Sequence, residues 1–455
     1  MTLTKHLFLC SLFVLFLLLG CDRNQQKNPP EQVDHSQPTV VVSQEAMEAK
    51  QDIQQEISDQ VDLNQPAAVV SQESVGTNQD TAVVTKMEES PASDFETQPI
   101  DGGLEIVKYV GNAENVVIPR EIDGKPVTSL GNAAFFDCKT LVSIEITDSI
   151  NNLGPRVFVG CEKLQSIDIP EGVTKINMDT FESCRSLKSV KLPNTLLEIH
   201  GAAFRGCRSL TDVTFPDNLK EIHRQAFGGC NLKSVVISKS ISSIGEGAFF
   251  SNPFLQTIVV DGSNESFSVN DNVLFDKQMT RLLCYPSGKE DKMYEVPATI
   301  KIIDDDAFCG SSHLIKVTLP DSVKELRYGT FCDCTSLESV DIPSSVTQID
   351  GWVFKNCSSL KTVNIPNGVS KMGDTVFTGC GKLNSIALPE SVTSIEVAAF
   401  GNCKELAIVT IPASVTTIVD NAFIGCDFEL LVIEGKSGSK AEKFAKEKGI
   451  KFVAE

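Results

Sequence analysis

Tryptophan occurs once and tyrosine four times in 455 residues, whereas phenylalanine occurs 25 times. A core built from the usual mixture of aromatics is excluded, and phenylalanine must fill one role repeatedly. Basic residues are scarce as well: 40 Lys and Arg stand against 60 Asp and Glu, a net charge of −20. Phosphate binding needs a concentrated basic surface, so the charge argues against nucleic acid and none is expected as a partner. Histidine is scarcer still, limited to His6, His35, His200, His223 and His313. Acid and base chemistry would have to rest on carboxylates. No Ser or Cys forms a recognisable set with a histidine and a carboxylate, and no Gly-x-Ser-x-Gly elbow occurs. The expectation is a protein that is not an enzyme and takes no cofactor.

Long apolar runs are also missing. The one candidate, Leu7 to Leu19, is too short to cross a hydrocarbon core of about 30 Å as a helix. Preceded by Lys5 and His6, it reads as an export signal over residues 1–20. It ends in Leu18-Leu19-Gly20-Cys21, which resembles the bacterial lipobox. That resemblance implies that Cys21 becomes the lipidated first residue and anchors the chain to a membrane. The expected location is therefore the bacterial cell envelope, facing periplasm or exterior. From 22 to 94 there is no Phe, Tyr or Trp, so the segment has too little to bury to offset its ordering entropy. Residues 22–99 hold 15 acids and 4 bases, and residues 21–94 read as a disordered acidic tether.

What is abundant is periodic. Phe135, Phe158, Phe181, Phe204 and Phe227 are 23 apart, Phe249 follows after 22, and the step of 23 resumes from Phe308 to Phe423. One unit reads Leu164-x-x-Ile167-x-Ile169-Pro170-x-x-Val173-x-x-Ile176, then Phe181 and Cys184. Ile167 and Ile169 point inward from a strand of period two, and Pro170 ends it. One unit cannot form a core alone, so the units must stack as a solenoid with their strands in a parallel sheet. Between Phe249 and Phe308 the period breaks, and Val273-Leu274-Phe275 with Leu282-Leu283-Cys284-Tyr285 read as a hairpin projecting from the array at about 261–296. Ser439 to Glu442 is a capping box opening a helix that Gly449 closes, so residues 437–455 form a C-terminal cap.

This unit resembles the BspA-like (treponemal-type) leucine-rich repeat. The fold expected is an α/β-type solenoid dominated by β over 95–436, with a parallel sheet on its concave face. The resemblance implies adhesion to cells or matrix proteins in some members, and hence a module for a protein or glycan partner. The alternative is an envelope spacer that associates with itself and has no specific ligand.

Several side-chain groups invite a chemical reading. Cys138, Cys161 and their equivalents three after each phase Phe stack in a column as small apolar residues, without the paired spacing that zinc requires. Cys309 and Cys332 lie one after the phase Phe, where Glu182, Arg205 and Lys355 occur elsewhere. They are expected to face solvent on adjacent coils about 5 Å apart, within disulfide range. His200 and His223 follow Glu198 and Glu221 by two on adjacent coils, an arrangement open to zinc or copper. An exposed, tolerant turn is the preferred reading, and no metal is expected. Asp304-Asp305-Asp306 is expected to be solvated in that same turn. Val236 and Val259 occupy the outward strand position, where apolar side chains can mark a binding patch. Arg205 and Arg208, with Arg185 and Arg224, form a basic cluster that could meet a sulfated or sialylated glycan, though scattered solvated charges are the preferred reading.

Mass spectrometry of the mature N-terminus is expected to show a diacylglyceryl mass on Cys21. A free N-terminus elsewhere, with the protein in the soluble fraction, would remove the anchor.

Overall fold

A computed structural model describes residues 88–455; the export signal, Cys21 and all but the end of the expected tether lie outside the described residues. Each coil begins as the sequence pattern requires. Ser166–Asp168 pairs in parallel with Ser143–Glu145 on one side and Ser189–Lys191 on the other, with Ile167 opposite Val190. Ile167 is buried while its neighbours Ser166 and Asp168 are exposed, the alternation of a half-buried strand. After the Pro170 turn, Lys175–Ile176 forms a second strand that pairs with Glu198–Ile199. Two apolar or polar residues are too short a signal to read as a strand, so this second ladder was not expected.

The coil then turns through its phenylalanine. Two residues before and two after Phe181, Asp179 and Ser183 adopt φ of 57° and 62°. The same flanks recur around Phe204, at Ala202 and Gly206, with φ of 54° and 76°. For residues other than glycine this left-handed region costs about 1–2 kcal/mol each. Hydrogen bonds to the next coil offset the cost. The N–H groups of Asp179, Phe181 and Ser183 donate to the carbonyls of Gly201, Ala203 and Arg205 at 3.1, 2.7 and 2.8 Å. The rings stack in step, with Phe181 and Phe204 5.0 Å apart at 12° and Phe204 and Phe227 5.0 Å apart at 7°. Phenylalanine suits the slot because a stacked phenyl ring gains roughly 0.5–1.5 kcal/mol beyond its burial and brings no polar atom inside.

The cysteine column does more than fill space. Each buried thiol donates to the carbonyl of the preceding coil's phenylalanine: Cys184 Sγ to Phe158 O, and Cys357 Sγ to Phe331 O, both 3.1 Å. Asn252 occupies this slot where the period shortens, donating to the Phe227 and Phe249 carbonyls at 2.9 Å while accepting from the Leu232 N–H at 3.0 Å. Ser311 takes the same slot, and its buried hydroxyl has no partner.

The hairpin expected at Val273–Phe275 and Leu282–Cys284 is present as an antiparallel pair, but its expected projection from the array is corrected. It does not project. Tyr285 stands 23 before Phe308, and its ring stacks on Phe308 at 5.1 Å in the phenylalanine slot. It marks one further coil, which departs from phenylalanine and was therefore missed. Phe267–Asn270, Val273–Asp276 and Arg281–Cys284 form an antiparallel sheet whose last strand joins Ile302–Ile303 in parallel. Val273, Leu274, Phe275 and Leu282 are all fully buried. Val273 and Phe275 pack into the C-terminal core, whereas Leu274 packs into the N-terminal one. The hairpin is a septum between two cores, apolar on both faces because both faces are covered.

Both ends are closed. Ser90 accepts from the Val117 N–H and Tyr109 stacks on Phe135 at 5.0 Å, so the folded part begins a few residues before the expected boundary at 95. At the far end the helix Lys440–Lys448 is capped by Ser439 accepting from the Glu442 N–H and by Gly449 at φ 71°. Phe444 continues the ring stack on Phe423 at 5.8 Å, and Lys451–Ala454 pairs with Val432–Gly435 as a last parallel strand.

Cys357→Ala is expected to cost about 1–2 kcal/mol, from a lost donor and a small cavity. Asn252→Ala should cost more, since it strands the Leu232 N–H as well as two carbonyls. Thermal unfolding of both variants checks the order; equal melting temperatures would contradict it.

Candidate functional site

On the strand face, Val236 and Val259 lie directly opposite each other in the parallel pair Ser234–Ile237 and Thr257–Val260. They are 57% and 46% exposed, while Val235 and Ile258 beneath them are buried. The exposure is thus a consequence of strand alternation and not of poor packing. In the coil before Val236 the ladder lapses: residues 211–215 form no strand. A shallow pocket of about 380 Å³ opens there, lined by Lys191, Leu192, Asp212, Thr214 and Pro216 among others. Apolar side chains on the sheet therefore adjoin a recess of mixed polar and apolar lining. That combination can hold a partner through an apolar anchor with hydrogen bonds at its margin.

The arginines are less available than their spacing suggested. Arg205 donates through Nε to Glu182 Oε1 at 3.1 Å and through Nη1 to Gln225 at 3.3 Å. Arg224 lies 3.8 Å from Asp305, and Arg185 lies 3.9 Å from Glu162. Glu182 in particular converts Arg205 from a free cation into half of an ion pair. Arg205 and Arg208 do share a pocket of about 360 Å³ with Gly228, Phe250 and Pro253. A Cβ at Gly228 would come within 1.9 Å of the Phe250 ring, so a larger residue there would have to displace that ring.

The triple aspartate is a second correction. Asp304 is fully buried and Asp306 is 6% exposed, so neither is solvated. Asp304 Oδ1 accepts from Arg281 Nε at 2.5 Å, Asp305 lies 3.4 Å from Arg327 Nε, and Glu246 lies 2.8 Å from Arg327 Nη1. Asp306 Oδ2 accepts from Gln225 Nε2 at 2.9 Å, with Gly247 and Gly329 leaving room for its carboxylate. These residues come from coils on both sides of the septum. Their role is to hold the seam. Burial pushes the Asp304 carboxyl up to about 6, with Arg281 pulling it back down. Burial and then Glu246 push Asp305 up to about 7, opposed by Arg327 and Arg224.

Cys309 and Cys332 are a third correction. The correction concerns their exposure: they are 3% and 5% exposed, not solvent-facing. Arg205 and Lys355 at the equivalent position are more open, whereas here the neighbouring Asp306 is itself buried. The neighbouring Cys332 thiol, and then burial, hold the Cys309 thiol well above its ordinary pKa.

His200 and His223 are brought together, their rings 4.6 Å apart at 24°.

A family profile described as "BspA type Leucine rich repeat region" matches residues 108–203, 174–282, 290–407 and 372–445. Among solved structures, the chain is similar to a leucine-rich cell-surface protein from Faecalibacterium prausnitzii, with 27% identity over 79% of this chain and 97% of that one and a TM-score of 0.56. A leucine-rich-repeat protein from Eubacterium ventriosum shares 25% identity over 72% of this chain and 91% of that one, with a TM-score of 0.52. The pneumococcal vaccine antigen PcpA shares the fold, at 23% identity over 79% and 96% of the two chains and a TM-score of 0.60. No curated protein matches the chain.

Raised carboxyl pKa values favour the protonated forms of Asp304 and Asp305 in the folded state. The stability they contribute is full below about pH 4 and is lost as pH rises through about 6 and 7. Asp305→Asn is expected to stabilise the protein at pH 8 by on the order of 1 kcal/mol, with a shallower decline in melting temperature between pH 5 and pH 8. A slope identical to that of the parent protein would reject this account.

Proposed function

The chain belongs to the BspA-type leucine-rich-repeat family, and from that premise we propose that it is a lipid-anchored cell-envelope protein presenting its solenoid to a protein or glycan partner. The reading has it act by binding and not by catalysis. The observation that carries it is the exposed pair Val236 and Val259. A sheet face meant only for water would place polar side chains there, as Glu145 and Asp168 do elsewhere in the same column. The likeness to a cell-surface protein of Faecalibacterium prausnitzii supports the location, and Cys21 behind its apolar run supports the anchor. The acidic charge disfavours polyanions, so a neutral glycan or a protein with a basic rim around an apolar patch fits best.

The test is an array of glycans and matrix proteins probed with the full chain, followed by titration of whatever binds. Replacing Val236 and Val259 with Asp is expected to weaken binding by more than about 1 kcal/mol without unfolding the array. Unchanged affinity in a folded double variant would move the site to the Arg205 and Arg208 pocket. Association that is weak, concentration-dependent and indifferent to every surface substitution would favour the spacer.

A further inference from the structure

His200 and His223 leave the second ladder at equivalent places. Glu198–Ile199 and Glu221–Ile222 pair in parallel with Glu198 opposite Glu221, so both imidazoles project the same way from adjacent coils. His200 Nε2 lies 2.8 Å from Glu198 Oε2. His223 Nε2 lies 3.2 Å from Glu221 Oε2, yet the angle makes no hydrogen bond and this nitrogen is buried without a partner. Among the described residues, the ligand atoms of Glu198, His200 and His223 all lie within 4.8 Å of one another.

We propose that Glu198, His200 and His223 form a binding site for a divalent transition-metal ion, zinc being the best match, that clamps two adjacent coils. Two neutral imidazoles and one carboxylate are a donor set that zinc favours. Ligands about 2.0–2.1 Å from a tetrahedral ion sit roughly 3.4 Å from each other. His200 and Glu198 are already closer than that. His223 needs a modest rotation of its ring, which its 39% exposed side chain permits. Binding gives the orphaned Nε2 its partner, and Glu221 or water completes the fourth position. Lys175 Nζ lies 2.9 Å from Glu198 Oε1; it orients the carboxylate and also competes with the ion, which weakens binding.

A second donor group, Cys309, Cys332 and Asp333, also lies within 4.8 Å. It is a poorer site, because its thiols are buried and Cys309 resists becoming the thiolate that binds metal. The two must be separated by the test.

Titrating the metal-free full chain with zinc by calorimetry at pH 7.5 is expected to show one saturable site with a dissociation constant on the order of micromolar. His223→Gln and Glu198→Gln should each weaken it by about tenfold or more, and the His200→Gln/His223→Gln double variant should abolish it with an unchanged circular dichroism spectrum. Cobalt in the same site should give ligand-field bands without thiolate charge transfer. The proposal is overturned if the double variant binds as the parent does, if cobalt shows the thiolate band at that stoichiometry, or if zinc binds only at millimolar concentration.

Discussion

The structure depends on a hydrogen-bonded registration between equivalent residues of successive coils, strongest at the phenylalanine turn. There the N–H groups at Asp179, Phe181 and Ser183 all reach carbonyls of the next coil, and the rings can stack only because those bonds hold the step constant. The two effects need each other. Left-handed backbone at Asp179 and Ser183 is unfavourable on its own, and a phenyl column with no ladder would have no fixed spacing. Once the step is fixed, every other column follows, including the Cys thiols that donate to phenylalanine carbonyls one coil back.

The same constraint explains why the insertion had to become a septum. A solenoid cannot lose contact between coils without exposing a core on each side, so additional chain must either leave the array entirely or be packed into it. Here it is packed. Val273–Asp276 presents Val273 and Phe275 to one core and Leu274 to the other, and Tyr285 restarts the ring column on Phe308. The ring stack nonetheless has a gap between Phe249 and Tyr285, and the ion network of Glu246, Arg281, Asp304, Asp305 and Arg327 lies across that gap. Charges are costly to bury, but a seam between two cores is where paired, directional contacts can fix one arrangement that apolar packing alone would leave loose.

How much was legible in the sequence follows from the same physics. Periodic features were readable because stacking repeats the same environment: the Ile167 strand, the Pro170 stop, the Phe column and the helix at Lys440 all come from local patterns. Departures were not readable, since their environment is set by contacts far along the chain. Tyr285 hid a coil by not being phenylalanine, although a search for any aromatic at a step of 23 would have found it. Asp304 looked like a solvated turn because its partners Arg281 and Arg327 sit one coil away on either side. Cys309 and Cys332 looked exposed by analogy with Arg205 and Lys355, but the buried neighbour Asp306 changes that analogy. The two-residue strands such as Glu198–Ile199 carry no pattern of their own and exist only because adjacent coils supply a partner.

A repeat core that spends its chemistry on holding register leaves function to the side chains that point away from it. On the strand face most such positions are polar, so an apolar pair is informative: Val236 and Val259 contribute nothing to the core, which Val235 and Ile258 already fill. In water each exposed valine is mildly unfavourable, and two side by side favour association. Neither position is needed for packing, so a polar residue would serve the fold equally well. On the proposed binding reading, valine at both is explained by a contact made outside the chain, and the lapse of the ladder at 211–215, which opens the Lys191 and Thr214 recess beside them, gives that contact a margin of mixed polar and apolar character.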